Sequence, residues 1–433
     1  MSADADPPQD SDGATSSAAE HSHADESSRK RRTARHLLLS LAAVLVFGGA
    51  ITALAISNQD SAGPQPSPSG SGSASPTPTP TLAAQQPTIL IQASGDSGAS
   101  VNLLTALSVQ QDPTAIMITL PPDLMVSAPG VDSESIRTTV SSIDTLRAPS
   151  AVSATLGVRI DGSWRLDRKA LAGLVDAAGG VSVTLTEPVK VRDGSGEVVL
   201  NLRAGVTDLT GAQAAWYAVG DVKGEDQSDQ TQRGLLVFSK SLSALPNSVT
   251  NIRETLTSLG ALAPTTIGAQ ALAEYLVDYR NAMNQDRINA FPIPTTSVAL
   301  GLTVYEWVNF TAATPALRKT LPLALWDTAA GSPPRVLVTS GTGQPGLIGS
   351  TRVAIERLGY IFVDGRGTKA KPADKGADKS QVQVRGEELW GLKVAEALGL
   401  GVKTVTNEPV SEPPEGRPWA DVDVELQQDY RPG

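Results

Sequence analysis

Residues 37–56 read LLLSLAAVLVFGGAITALAI, twenty positions without a charge. At about 1.5 Å of rise per residue, such a run in helical form spans the roughly 30 Å hydrocarbon core of a bilayer. The cations of RKRRTAR, residues 29–35, precede it and place that end in the cytoplasm. A cleaved signal peptide is the alternative, because ALA at 53–55 has the small-residue pattern of a cleavage site. The long segment before the run, and a run longer than the roughly 7–15 residues of a signal core, favour a retained transmembrane helix. Either way, the rest of the chain lies outside the cytoplasm.

Around that helix the pattern divides the chain. Residues 1–36 form a cytoplasmic tail, expected to be disordered because its first 28 positions carry almost no large apolar side chains. Residues 57–86 are a Pro, Ser and Gly linker suited to a spacer. From 87 to 312 short apolar, β-branched runs such as TILIQA, TAIMITL and VSVTL predict strands. LDRKALAGLVDAAGG and DQTQRGLLVFSKSLSAL carry apolar residues at helical spacing, and Gly179 and Gly180 stop the first. Strands alternating with helices predict an α/β domain with a central sheet flanked by helices. The proline clusters of 313–334 mark a second linker. Beyond it RVLVTS, GLIGSTRVAIERLG, YIFVD, GEELWGLKVAEALGL and DVDVEL predict a small second α/β domain over 335–433.

Composition removes several chemistries. The formal net charge of −10 and the lack of a basic face argue against nucleic acid as a partner. With no cysteine, thiolate nucleophiles and thiolate metal sites are excluded. The three histidines are His21, His23 and His36, so nothing after residue 36 can use imidazole. GTGQPG, residues 341–346, fits G-x-G-x-x-G, and Asp364 follows at a plausible offset. Dinucleotide binding is nevertheless rejected: the domain is too short for two mononucleotide halves, and Pro345 removes an amide from the phosphate cradle.

Several stretches carry a family resemblance: TAIMITLPPD, GVRIDG, LVDAAGGVSV, LNLRAGVTDLTGAQAAWYA and QTQR, followed in the tail by RVLVTSGTGQPGLIGSTRVAIERLGY and DVDVELQQDY. Residues 88 to about 245 resemble the catalytic domain of the LytR-CpsA-Psr family. Residues 335–432 resemble the C-terminal domain often appended to it in actinobacteria. The resemblance implies a single-pass protein of the cell membrane, its bulk extracytoplasmic. It also implies transfer of glycopolymers from a polyprenyl-pyrophosphate carrier to peptidoglycan, with arginines gripping the pyrophosphate and carboxylates holding Mg2+. Phosphoryl transfer needs its charge neutralised, and a guanidinium fork matches phosphate oxygens.

The charged positions depart from that pattern. Pro122 stands where the family has the arginine of Pro-Arg-Asp, although Asp123 is kept. Tyr217, Ala218, Val219, Gly220 and Asp221 occupy its Tyr-Val-Arg-Ser-Arg, and Gln230 replaces the first arginine of Arg-Thr-Gln-Arg-Gln, leaving Arg233. Asn102 aligns with an acid of the family, and Asp96 with another. The candidate binding residues are thus Arg233, Asp123, Asp96, Asn102 and Gln230, with Asp96 and Asp123 the candidate metal ligands. Arg233 is read either as a ligand group or as half of an internal ion pair with Asp123 or Asp96. Asp161 and Asp176 are read as braces of the scaffold. Each lost arginine removes charge-assisted hydrogen bonds worth about 1.5–3 kcal/mol apiece. The leading reading is therefore a pseudoenzyme, a non-catalytic binding or accessory protein for a cell-wall glycan, a polyprenyl-linked precursor or an envelope protein, with no cofactor. The alternative is a divergent phosphotransferase using Arg233, Asp123 and Mg2+, with further cations from Arg137, Arg147, Arg159 or Lys223.

Overall fold

The computed structural model describes residues 86–127, 133–300, 303–325, 333–341, 347–366, 379–407 and 417–431. The expected tail, membrane helix and first linker lie outside them apart from residue 86, as do residues 342–346 of GTGQPG. Among the described residues no helix is long and apolar enough to cross a membrane.

The first sheet contains β1 (Thr88–Gly95), β2 (Gly98–Leu107), β3 (Ala115–Thr119), β4 (Gly162–Leu166) and β5 (Ile288–Pro292), in the order β5-β3-β2-β1-β4. It is mixed: β1, β2 and β3 form an antiparallel meander, and β4 and β5 join its two edges in parallel. Strict strand-helix alternation therefore fails over the first three strands. The strand VSVTL also lies outside this sheet, pairing with Gly205–Leu209 in a separate two-stranded ladder.

The pleat sorts side chains onto two faces. Ile89, Ile91, Val101 and Leu103 face a layer of five helices: α2 (Arg168–Ala177), α3 (Gly211–Val219), α4 (Gln227–Ala244), α5 (Val249–Leu259) and α6 (Ala269–Asn284). Leu90, Leu104 and Ile118 face α1 (Arg147–Leu156), α7 (Phe310–Thr320) and the 3-10 turn Ile136–Ser141. Local chemistry starts these helices where they start. The Asp167 carboxylate accepts from the Ala170 amide at 2.7 Å, and Thr210 with Gln213 forms a capping box on α3. The braces are also visible: Asp161 accepts from the Thr88 amide, and Asp176 from the Gly211 amide at 2.7 Å. A Cβ on Gly211 would sit 2.1 Å from the Ala172 carbonyl oxygen, so only glycine lets α3 approach α2 so closely.

The segment read as a linker from 313 begins inside α7, whose Ala313 and Leu317 are buried with Leu321. Its proline clusters mislead because Pro315 is accommodated within the helix. A second five-stranded sheet follows: β6 (Arg335–Ser340), β7 (Ile361–Asp364), β8 (Gln381–Val384), β9 (Val405–Asn407) and β10 (Val422–Leu426), in the order β7-β6-β10-β8-β9. Helices α8 (Leu347–Arg357) and α9 (Glu388–Ala397) cover the face bearing Val336, Val338 and Val424. β8 and β9 are strands that hydrophobic patterning did not reveal.

Two buried tyrosines on α6 tie the protein's stability to pH. Tyr275 and Tyr279 stack with ring centroids 5.7 Å apart, and the Tyr279 hydroxyl donates to the Ile116 carbonyl at 2.9 Å. Burial pushes both hydroxyls above their ordinary value of 10. A group whose pKa is raised on folding contributes stability that is complete below its unfolded value and lost as pH climbs past it. Unfolding free energy is therefore expected to fall above about pH 10. Tyr279→Phe should flatten that slope in denaturant titrations between pH 8 and 11; an unchanged slope would contradict this origin.

Candidate functional site

Asp123 follows β3 in a turn stitched to its surroundings by backbone. The Pro122 carbonyl accepts from the Arg137 amide at 3.0 Å, and the Asp123 carbonyl accepts from the Glu306 amide at 3.0 Å. This stitching brings the turn Ile136–Ser141 over the end of the sheet. The Arg137 Nε then lies 3.4 Å from Asp123 Oδ1, while the Gln227 side-chain amide donates to Asp123 Oδ2. One of the alternative cations thus converges on Asp123. Arg147 pairs with Glu134 at 2.7 Å, Arg159 pairs with Asp161 at 2.7 Å, and Lys223 is exposed.

Arg233 behaves differently. It projects from α4 with 7% exposure, and its Nε donates to Glu225 Oε2 at 2.9 Å. Nη1 donates to the Tyr217 carbonyl, and Nη2 to the Gly220 carbonyl at 3.0 Å. All three guanidinium nitrogens are bonded within the chain, closing the C-terminal end of α3 where carbonyls lack helical partners. The ion-pair partner is Glu225, not Asp123 or Asp96. Burial raises the Glu225 pKa, and the Arg233 charge opposes that rise.

The other candidates are placed as follows. Gln230 is buried and its amide donates to the Val219 carbonyl at 3.1 Å and the Gly220 carbonyl at 3.3 Å, bracing the same helix end. Asp96 is exposed in the β1-β2 turn, where its Oδ2 accepts from the Gly194 amide at 3.1 Å. Asn102 is fully buried, accepting through Oδ1 from Gln92 Nε2 at 2.8 Å. Gln92 in turn donates to Thr139 Oγ1 and pairs in register with Arg165, three residues that no motif singled out.

The implied divalent cation does not fit these donors. Both Asp123 oxygens face N–H groups, Asp96 Oδ2 holds a backbone amide, and Asn102 offers only an uncharged amide. Among the described residues no group of three or more His, Asp or Glu could hold a metal ion. What the arrangement can do is present N–H donors next to one carboxylate, which suits oxyanion binding better than metal-assisted transfer.

The LytR_cpsA_psr family model matches residues 101–319. Among solved structures, TagV from B. subtilis is similar at 16% identity, covering 55% of this chain and 97% of that one, with a TM-score of 0.46. Protein gbs0355 from Streptococcus agalactiae is similar at 17% identity over 55% and 88%, with a TM-score of 0.48. A LytR-Csp2A-Psr enzyme from Actinomyces oris is similar at 22% identity over 56% and 93%, with a TM-score of 0.43. No curated protein matches the chain.

Proposed function

Because the chain belongs to the LytR-CpsA-Psr family, its model covering half of the residues, we propose that it is a membrane-anchored, extracytoplasmic cell-envelope protein that binds in glycopolymer attachment without transferring a phosphoryl group. Its partner in this reading is a wall glycan, a polyprenyl-linked precursor or an envelope protein, and residues 37–56 are its anchor. The observation that carries the reading is the inward turn of Arg233. The one arginine kept at the family's positions bonds Glu225 and two backbone carbonyls, so a ligand would have to break those bonds to use it. A pyrophosphate needs several cations at once, because one guanidinium does not offset the loss of its hydration.

One observation favours the second reading, a divergent phosphotransferase: Arg137 stands beside Asp123 from a different segment of the chain. In that reading Arg137 replaces a missing member of the clamp. The full-length chain in detergent, given a polyprenyl-pyrophosphate-linked glycan, Mg2+ and a peptidoglycan acceptor, tests both. The expected result is no transfer and no polyprenyl phosphate released. Release that Arg137→Ala abolishes would establish the second reading instead.

A further inference from the structure

Gln86, which precedes β1, is fixed to one end of the first sheet. It is fully buried: its Nε2 donates to the Thr320 carbonyl at 2.9 Å, and its Oε1 accepts from the Leu323 amide at 3.1 Å. Arg159 Nη2 reaches the Gln86 carbonyl at 3.5 Å. β1 starts two residues later, so the chain leading back to residues 37–56 departs from the end of the sheet where β1 begins. Asp123 and Arg137 lie at the opposite end. The Leu120 amide donates to the Asn102 carbonyl, and Asn102 pairs with Gln92, four residues along β1 from Thr88. At about 3.3 Å per residue, the Asp123 turn is thus roughly 15–20 Å from the point of departure.

Register carries apolar side chains to the same end. Thr88 pairs with Ala106, and the next residue, Leu107, forms one row with Ala115 and Ile288 across β2, β3 and β5. Val109 stands in the β2-β3 turn two residues past Leu107, and Leu323 is held beside Gln86. Val109 is 47% exposed, Ile288 40% and Leu323 43%. Exposed apolar residues scattered singly need no explanation. These three come from separate segments and share one end of a sheet, over four strands that span about 14 Å. Cations accompany them. Lys319 is exposed in the last turn of α7, Arg159 pairs with Asp161, and Arg287 donates to the Pro113 carbonyl at 3.1 Å and lies 3.6 Å from Asp112. Apolar tips beside long cationic side chains suit the boundary between acyl chains and phosphate headgroups.

We propose that this end of the sheet rests on the bilayer that holds the anchor: Val109, Ile288 and Leu323 enter the headgroup region, and Lys319 meets lipid phosphate. The inference rests on the reading of residues 37–56 as an anchor and goes beyond it, from attachment to orientation. The linker is what selects lipid as the occupant. Residues 57–86, as a flexible coil, have a root-mean-square reach of about 30 Å. The face from which they depart is therefore kept at a roughly millimolar effective concentration against the membrane. Contacts too weak to hold a soluble partner are populated under that restraint. The Asp123 end then points away from the lipid, which favours a wall glycan over a lipid-linked precursor as its partner.

Because the chain has no cysteine, a single introduced thiol reports on one position. Val109→Cys, Ile288→Cys and Leu323→Cys are each spin-labelled in the full-length chain, in nanodiscs of mixed zwitterionic and anionic lipid. Val198→Cys is the control: Val198 is 44% exposed, on a hairpin whose Gly194 amide bonds Asp96 at the far end of the sheet. The three labels are expected to gain collisions with oxygen, which partitions into lipid, and to lose collisions with a water-soluble nickel chelate severalfold, while the control label stays in water. Lys319→Glu combined with Leu323→Asp should return the label at 109 to water without moving the melting temperature, since both side chains are exposed. Three labels as open to the nickel chelate as the control, in a chain that has entered the nanodiscs, overturn the proposal and leave the anchor standing. Labels shut off from both agents would mean that protein, a second copy included, covers the face, and overturn it too. A chain that does not enter the nanodiscs overturns the anchor reading, and the proposal falls with it.

Discussion

Arg335→Met is expected to destabilise the protein by about 3–5 kcal/mol, the range for removing one partner from a buried charged network. Arg335 is completely buried at the start of β6. Its Nη1 donates to the Ser153 carbonyl at 3.3 Å and Nη2 to the Ala154 carbonyl at 2.7 Å, both in the last turn of α1. Nε donates to the Trp419 carbonyl at 3.0 Å, and the backbone amide to Asp421 Oδ2 at 2.7 Å. One guanidinium thus closes a helix of the first sheet's layer from within the second sheet. Gly157 ends α1 at φ +69°, the left-handed conformation that favours glycine at a helix end. Burial lowers the Arg335 pKa to about 10, which leaves it charged at neutral pH. Methionine fills similar space and keeps the amide bond to Asp421, but strands the carbonyls of Ser153, Ala154 and Trp419. Calorimetry should show the midpoint falling by roughly 5–15 °C. Arg335→Lys, able to reach fewer carbonyls, should lose less. A shift of under 2 °C in Arg335→Met would mean that water takes over these groups.

Arg233→Ala should cost about 3–4 kcal/mol, because it leaves half-buried Glu225 without its partner and uncaps two carbonyls at the end of α3. The double variant Arg233→Met, Glu225→Met should recover a large part of the loss, since an apolar pair carries no stranded charge. Chemical denaturation of the four members of this cycle measures the coupling directly. The outcome bears on function as well. A ligand-gripping arginine would be dispensable for stability, and its removal would disturb binding alone. A wild-type midpoint in Arg233→Ala would therefore reverse the assignment of Arg233 to the scaffold.

The helices were legible because their signals are local. The spacing of Leu171, Leu174 and Val175 with Gly179 beyond gives α2 and its end, and the caps Asp167 and Thr210 are residues of the expected type. β2 was harder to read. Its sequence GASVNLLTAL faces helices on one side and the turn Ile136–Ser141 on the other, so both faces are buried and the alternation that betrays a strand is missing. The candidate site was legible only where chemistry stayed at its motif position. Asp123, Arg233 and Gln230 could be named in advance, but what each bonds could not. Glu225 lies eight residues from Arg233 with no spacing that marks a pair. Arg137 and Arg165 meet the site only through strand register and a turn folded back over the sheet, which are non-local facts.

The backbone bond from the Arg137 amide to the Pro122 carbonyl sets what a substitution at 122 would do. Pro122 is buried, so a long cation placed there would set its charge against the cost of desolvation. An arginine at 122 would therefore strain the stitch that holds Arg137 and carry its own burial cost. Charge at this end of the sheet is more readily tuned on the crossing segment than at the proline.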